Sequence, residues 1–156
     1  MKNLIFAILA VSLGAYAFNK FAGANEPLAE ENKSSAWTEN YEAALATAKE
    51  NDKMVLLNFT GSDWCPPCMH MESTVLHQDN FISAMEGKVV LVTLDFPRRT
   101  EQSQEIKERN QSLAEEVGVR GFPTFVLIDN EGNEIRRTVG AMRGGPEAFI
   151  SWVKEG

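Results

Sequence analysis

The chain has 156 residues, 44% of them apolar and 24% charged, with a formal net charge of −7. That is the composition of a globular protein of about one domain, and it excludes repeat, fibrous and disordered classes. The acidic balance argues against nucleic acid or an anionic membrane surface as partner.

The first 24 residues read as a signal peptide or an N-terminal anchor. Lys2 supplies a positive start, and Leu4 to Gly14 is apolar apart from Ser12. Ala15-Tyr16-Ala17 and Ala22-Gly23-Ala24 both fit a small-residue cleavage site. The apolar run is shorter than the roughly 20 residues of a spanning helix. Lys2 and Lys20 are the only charges before Glu26, so removing the segment takes the net charge from −7 to −9. Either form places the rest of the chain in an oxidising compartment, periplasmic or secreted. Membrane attachment is expected only if the segment is not cleaved. Residues 25–35, polar and carrying Pro27, read as a linker, and residues 36–156 as the domain.

Within that domain Thr38 is placed to cap a helix running to Asn51, with Tyr41, Ala44, Leu45 and Ala48 on one face. Met54 to Thr60 is apolar nearly throughout, as in a central strand covered on both sides. Cys65 to Leu76 reads as helix, although Met69, Glu72 and Leu76 do not form a sharp stripe. Asp79 is placed to cap a short helix with Phe81, Ile82 and Met85. Val89 to Leu94 is a second central strand, Phe96 to Thr100 a loop, solvated by default or contacting substrate through Phe96 and Pro97-Arg98-Arg99, and Glu101 to Val117 a polar helix that buries Ile106, Leu113 and Val117. Thr124 to Ile128 is a third strand. Asp129-Asn130-Glu131-Gly132 is a turn, and Asn133 to Val139 returns as its hairpin partner. Gly145-Pro146 opens a last helix that buries Ala148, Phe149, Trp152 and Val153. Strands separated by helices run parallel and the final hairpin antiparallel, which predicts an α/β fold: a mixed sheet of about four strands with helices on both faces.

The two cysteines of the chain, Cys65 and Cys68, lie in Trp64-Cys65-Pro66-Pro67-Cys68 at the junction of the first central strand and its following helix. A dithiol so placed is a redox site. The segments LLNFTGSDWCPPC and, about fifty residues later, VRGFPTFVLIDNEG carry a resemblance to the thioredoxin-fold family from about Trp37 to Trp152. TGSDWCPPC together with LDFPR is most similar to secreted bacterial thioredoxin-like proteins of the thiol-disulfide interchange type. The resemblance implies that Pro123, after Phe122, is a cis-proline facing the dithiol, and that Trp64 forms a lip over it. It also marks two departures. The family's buried Asp on the strand before the dithiol and the Lys on the next strand correspond here to Asn58 and Thr93, neither of which supplies a carboxylate base or its cation. The loop and helix from Pro97 to Glu116 are longer than in a minimal thioredoxin.

With Cys65 at the helix N-cap, Pro66 and Pro67 occupy positions where N–H groups have no helical partner, and Cys68 closes the first turn. The Cys68 N–H and the helix dipole favour a thiolate at Cys65, which makes Cys65 the nucleophile and Cys68 the resolving thiol. The two prolines donate no hydrogen bond to that thiolate, so they tune the couple toward the reducing side. No cofactor is needed, because the electrons pass between sulfurs. The expected partners are client proteins with disulfides or thiols and an unidentified redox donor, met by a monomer.

Other readings use the same residues. Cys65, Cys68, Met69, His70 and Met71 are ligands suited to Cu(I), which would make a metallochaperone. A closed zinc site would have to recruit His70 and His77. His70 could also tune Cys65. A third reading is a module that captures client cysteines without turnover. A structural disulfide would close too short a loop to stabilise much. Insulin reduction beside Cu(I) titration separates turnover from stoichiometric metal.

Overall fold

The computed structural model describes residues 36–156; the expected signal or anchor (1–24) and linker (25–35) lie outside them. A sheet of five strands, in the order β1-β3-β2-β4-β5, organises these residues. The strands are β1 (Trp37–Thr38), β2 (Met54–Thr60), β3 (Val89–Asp95), β4 (Thr124–Ile128) and β5 (Glu134–Val139). β3 runs parallel to both β1 and β2, and β4 runs antiparallel to β2 and β5. The helices are α1 (Tyr41–Asn51), α2 (Pro66–Met71, continuing as a π-helical turn over Glu72–Leu76), α3 (Asp79–Met85), α4 (Gln104–Val117) and α5 (Gly145–Lys154).

Hydrophobic alternation along β2 divides the core. Val55, Leu57 and Phe59 pack with Val92, Leu94, Val126 and Ile128 beneath α1 and α4. Leu56 points the other way, into a core built with Met71, Val75 and Leu76 of α2, Phe81 of α3 and Phe149 of α5. Phe149 stacks its ring among Phe81, Phe125 and Trp152.

The fifth strand is β1, two residues long and below the length at which alternation is readable. Trp37 secures it, stacking on Phe81 and donating its indole N–H to the Leu76 carbonyl at 3.3 Å. Thr38 therefore does not cap α1. Asn40 does, its Oδ1 accepting from the Ala43 N–H at 3.0 Å, while the Thr38 hydroxyl oxygen accepts from the Asn40 N–H. Asp79 is the first residue of α3 rather than its cap; Gln78 precedes it and makes no side-chain cap bond. α4 starts later than the sequence predicts, at Gln104, because Ser103 accepts from the Ile106 N–H. Leu113 is buried as expected. Ile106 and Val117 are only half-buried, and Asn110 and Ala114 take the inner face instead.

The π turn explains why α2 shows no clean stripe in the sequence. Cys68, Met71, Val75 and Leu76 are the buried positions. The His77 N–H reaches back to the Glu72 carbonyl, and this wider turn re-phases the helix so that Leu76 joins Met71 in the core.

Candidate active site

At the end of β2 the chain turns sharply through Gly61–Trp64. The Gly61 carbonyl accepts from the N–H groups of both Trp64 (3.3 Å) and Cys65 (3.0 Å). Glycine is required by the close approach of the indole: a Cβ at position 61 would lie 2.5 Å from Trp64 Cε2. Cys65 follows with extended backbone (φ −99°, ψ 100°) as the N-cap of α2, and Pro66 and Pro67 fill the first helical positions. Cys65 and Cys68 are joined by a disulfide, with Cα atoms 5.3 Å apart. In this oxidised state the two are almost equally covered, at 3% and 1% exposure. The difference in access expected of a nucleophile and its resolving partner is thus not expressed while both are bonded. Met69 and His70 are exposed, whereas Met71 is buried in the core, which removes it from the set of available metal ligands.

The facing wall comes from the segment entering β4. The Phe122–Pro123 bond is cis. The Pro123 carbonyl accepts from the Gly140 N–H at 2.8 Å, and the Thr124 hydroxyl donates to the Gly121 carbonyl at 2.7 Å. The Phe122 ring meets Trp64 edge-on, with centroids 5.7 Å apart, and lies 5.1 Å from Phe96.

The segment Phe96–Thr100, which reads as a solvated loop, is built into the site. The Trp64 indole N–H donates to the Phe96 carbonyl at 2.7 Å. The Asp63 carboxylate accepts backbone N–H groups from Arg98 (2.9 Å), Arg99 (2.7 Å) and Thr100 (2.8 Å). These donors, Arg98 first among them, hold the Asp63 carboxyl down at about 2. Asp95 ties the same turn from below, accepting from both the N–H and the hydroxyl of Ser62. So fixed, the loop lays the Arg98 guanidinium over the Trp64 ring, 3.6 Å from its centroid. A groove of about 380 Å³ runs between these walls, lined by Trp64, Phe96, Arg98, Glu115, Arg120 and Phe122 among others.

Beneath the dithiol, alternation puts Asn58 and Thr60 on the face of β2 that α2 covers. Asn58 is buried at 2% exposure, in register with Thr93 of β3, and its Oδ1 has no hydrogen-bond partner among the described residues. Thr60 donates its hydroxyl to Glu72 Oε1 at 3.1 Å. Glu72 stands one helical turn beyond Cys68. Burial pushes its carboxyl above the usual carboxylate range and Asp95 adds to the rise, against the opposing effects of the Thr60 hydroxyl and His77. Sequence reasoning missed this residue. The i, i+4 spacing to Cys68 was visible, but the burial of Glu72 depends on the strand beneath it.

A Cys-X-X-Cys pair at a helix N-terminus, together with a cis-proline entering β4 of a mixed five-stranded sheet, marks a thiol-disulfide oxidoreductase of thioredoxin fold. The chain belongs to the thioredoxin-like domain family, whose model matches residues 41–156. The disulfide bond reductase DsbH of Chlamydia pneumoniae is 38% identical over 116 residues, spanning 74% of this chain and 69% of the relative. A solved DsbH oxidoreductase superposes with a TM-score of 0.71 at 36% identity, over 76% of this chain and 81% of the other. The reduced C-terminal domain of Neisseria meningitidis DsbD gives a TM-score of 0.56 at 25% identity, over 73% and 91%.

Proposed function

We propose that the protein reduces disulfides of client proteins outside the cytoplasm, with Cys65 as nucleophile and Cys68 as resolving thiol. The observation that carries this is the placement of Cys65 at the N-cap of α2 with its disulfide partner in the same first turn. In the reduced protein the Cys65 thiolate attacks a client disulfide. A Cys65–client disulfide forms and the client's other sulfur leaves as a thiolate. Cys68 then gives up its proton and attacks the Cys65 sulfur, releasing the second client thiolate. Two electrons pass to the client, and the Cys65–Cys68 disulfide is the oxidised product. Asn58 cannot accept the Cys68 proton; Glu72, a turn away and poised by Thr60, takes it, directly or through water. A separate donor must return the disulfide to the dithiol.

The reductive direction rests on Pro66 and Pro67, which deny the Cys65 thiolate two backbone donors, and on the reductase name of the DsbH relative. The extracytoplasmic setting rests on Lys2, the apolar run Leu4–Gly14 and the small-residue sites after it, read as a signal or anchor over 1–24 with a linker over 25–35. Trp64, Phe122 and Pro123 form the surface that meets the client.

The test is trapping. Cys68→Ser should accumulate mixed disulfides with clients through Cys65, and Cys65→Ser should accumulate none. Trapping only through Cys68 reverses the assignment of roles. The potential of the couple tests direction: a value near the roughly −120 mV of a strong periplasmic oxidant would overturn it.

A further inference from the structure

We propose that the groove between Trp64 and Phe122 selects client segments that carry acidic side chains beside the disulfide, with Arg98 and Arg120 as the residues that read them. This deepens the exchange reading above and rests on it.

Two features leave the cations of the groove available to a ligand. Arg98 and Arg120 line it, and neither takes part in an ion pair among the described residues; the ion pair found there joins Arg137 to Glu134. The two carboxylates nearby keep their charge, but neither is ion-paired with an arginine of the groove and each already accepts hydrogen bonds from neutral donors. The Asp63 carboxylate is occupied by three backbone N–H groups, and Glu115, which also lines the groove, accepts from the Gln111 side chain at 2.7 Å. Arg98 is also pre-organised. Its backbone is held by Asp63 and its guanidinium plane lies on the Trp64 ring, so ordering it on a client costs little, and its N–H fork is left for a carboxylate.

The occupant follows from charge. The chain as a whole carries −7, so at long range it repels an acidic client. That repulsion is largely screened beyond the ~8 Å Debye length of physiological salt, whereas an arginine in contact with a bound carboxylate is screened much less. At contact range the unpaired arginines therefore decide, and Arg98 lies on Trp64, the residue immediately before the nucleophile, with Arg120 lining the same groove. A basic client segment finds there two like charges outside any ion pair among the described residues, and two carboxylates whose oxygens already accept hydrogen bonds.

The experiment uses two synthetic peptides of equal length, each closed by one disulfide and differing only in three flanking residues, Glu in one and Lys in the other. Reduction rates by the reduced protein are divided by those for dithiothreitol, which removes intrinsic differences in disulfide reactivity. The acidic peptide should be favoured about 10-fold at physiological ionic strength, where the repulsion by the whole chain is screened, with the ratio falling toward one in molar salt. In the Arg98→Gln/Arg120→Gln variant the ratio at physiological salt should fall toward one. Because both peptides meet the same preparation, a general loss of activity cancels. Arg120→Gln alone, at an exposed position with no hydrogen bond among the described residues, should lower the ratio partway and covers the case in which the double variant fails to fold. Equal normalised rates in the parent overturn the proposal and leave the exchange reading standing. A preference that survives both variants overturns the assignment to this groove. No reduction of either peptide overturns the exchange reading, and this proposal with it.

Discussion

The two faces of β2 are built to different ends. Val55, Leu57 and Phe59 lie on a face that is apolar from one end of the strand to the other. On the opposite face Leu56 gives way to Asn58 and then to Thr60 as the strand nears the dithiol. All six are buried, so the difference lies in chemistry and not in depth. One face supplies apolar burial throughout. The other gives up part of that burial to place polar groups beneath α2, where a thiol must exchange its proton.

Three substitutions sharpen this contrast, beginning with the largest effect. Phe59→Ala on the apolar face should destabilise the oxidised protein by about 3–5 kcal/mol through lost burial and a cavity, measured by denaturant unfolding. A loss no larger than that from truncating an exposed residue would mean the face does not carry the stability. Asn58→Asp should cost at least about 1–3 kcal/mol at neutral pH, because the site offers a carboxylate no cation. The loss should shrink on acidification, as the introduced group takes up a proton. Near neutral pH the variant should also resolve mixed disulfides faster, in stopped-flow measurements. Intact folding with unchanged kinetics would show that position 58 does not serve Cys68.

Glu72→Gln should have the smallest effect, and its sign is fixed by the raised carboxyl. A carboxyl raised in the folded state stabilises fully below its unfolded value, and that contribution is lost as pH rises through the raised value. The glutamine variant has no such loss. Its stability relative to the parent should therefore climb with pH, with the two nearest at about pH 4 and below. Thermal melts across that range check it, and a gap that closed as pH rose would contradict the burial of Glu72. If Glu72 takes the Cys68 proton, the same variant should also lose the rising limb in the pH dependence of mixed-disulfide resolution.

How much of this could be read beforehand varies with how local each signal is. Cys65, Cys68 and their prolines were legible because a helix start and a dithiol are written within a few consecutive residues. The buried strands β2, β3 and β4 announce themselves by runs that are apolar nearly throughout. β1 did not, since two residues show no period, and its stability comes from Trp37 meeting Phe81 across the chain. Thr38 and Asn40 are both good caps by type, and pairing of Thr38 with β3 decides between them. Glu72 was illegible, and the loop at Arg98 legible only as one of two options, for a shared reason. Their roles depend on residues that the fold brings together, Thr60 for one and Asp63 with Trp64 for the other.

Gly61 has a consequence for how such a protein can diversify. With 2.5 Å between a would-be Cβ and the indole, position 61 tolerates no side chain unless Trp64 moves, and Trp64 in turn anchors the Phe96 carbonyl. The turn that aims the nucleophile is thus frozen by sterics. Arg98 and Arg120 meet that lock differently: Arg98 lies on the Trp64 ring with its backbone N–H on Asp63, whereas Arg120 is exposed and makes no hydrogen bond among the described residues. A lineage built on this turn is constrained first at position 61, where any side chain has to be met by a second change at Trp64.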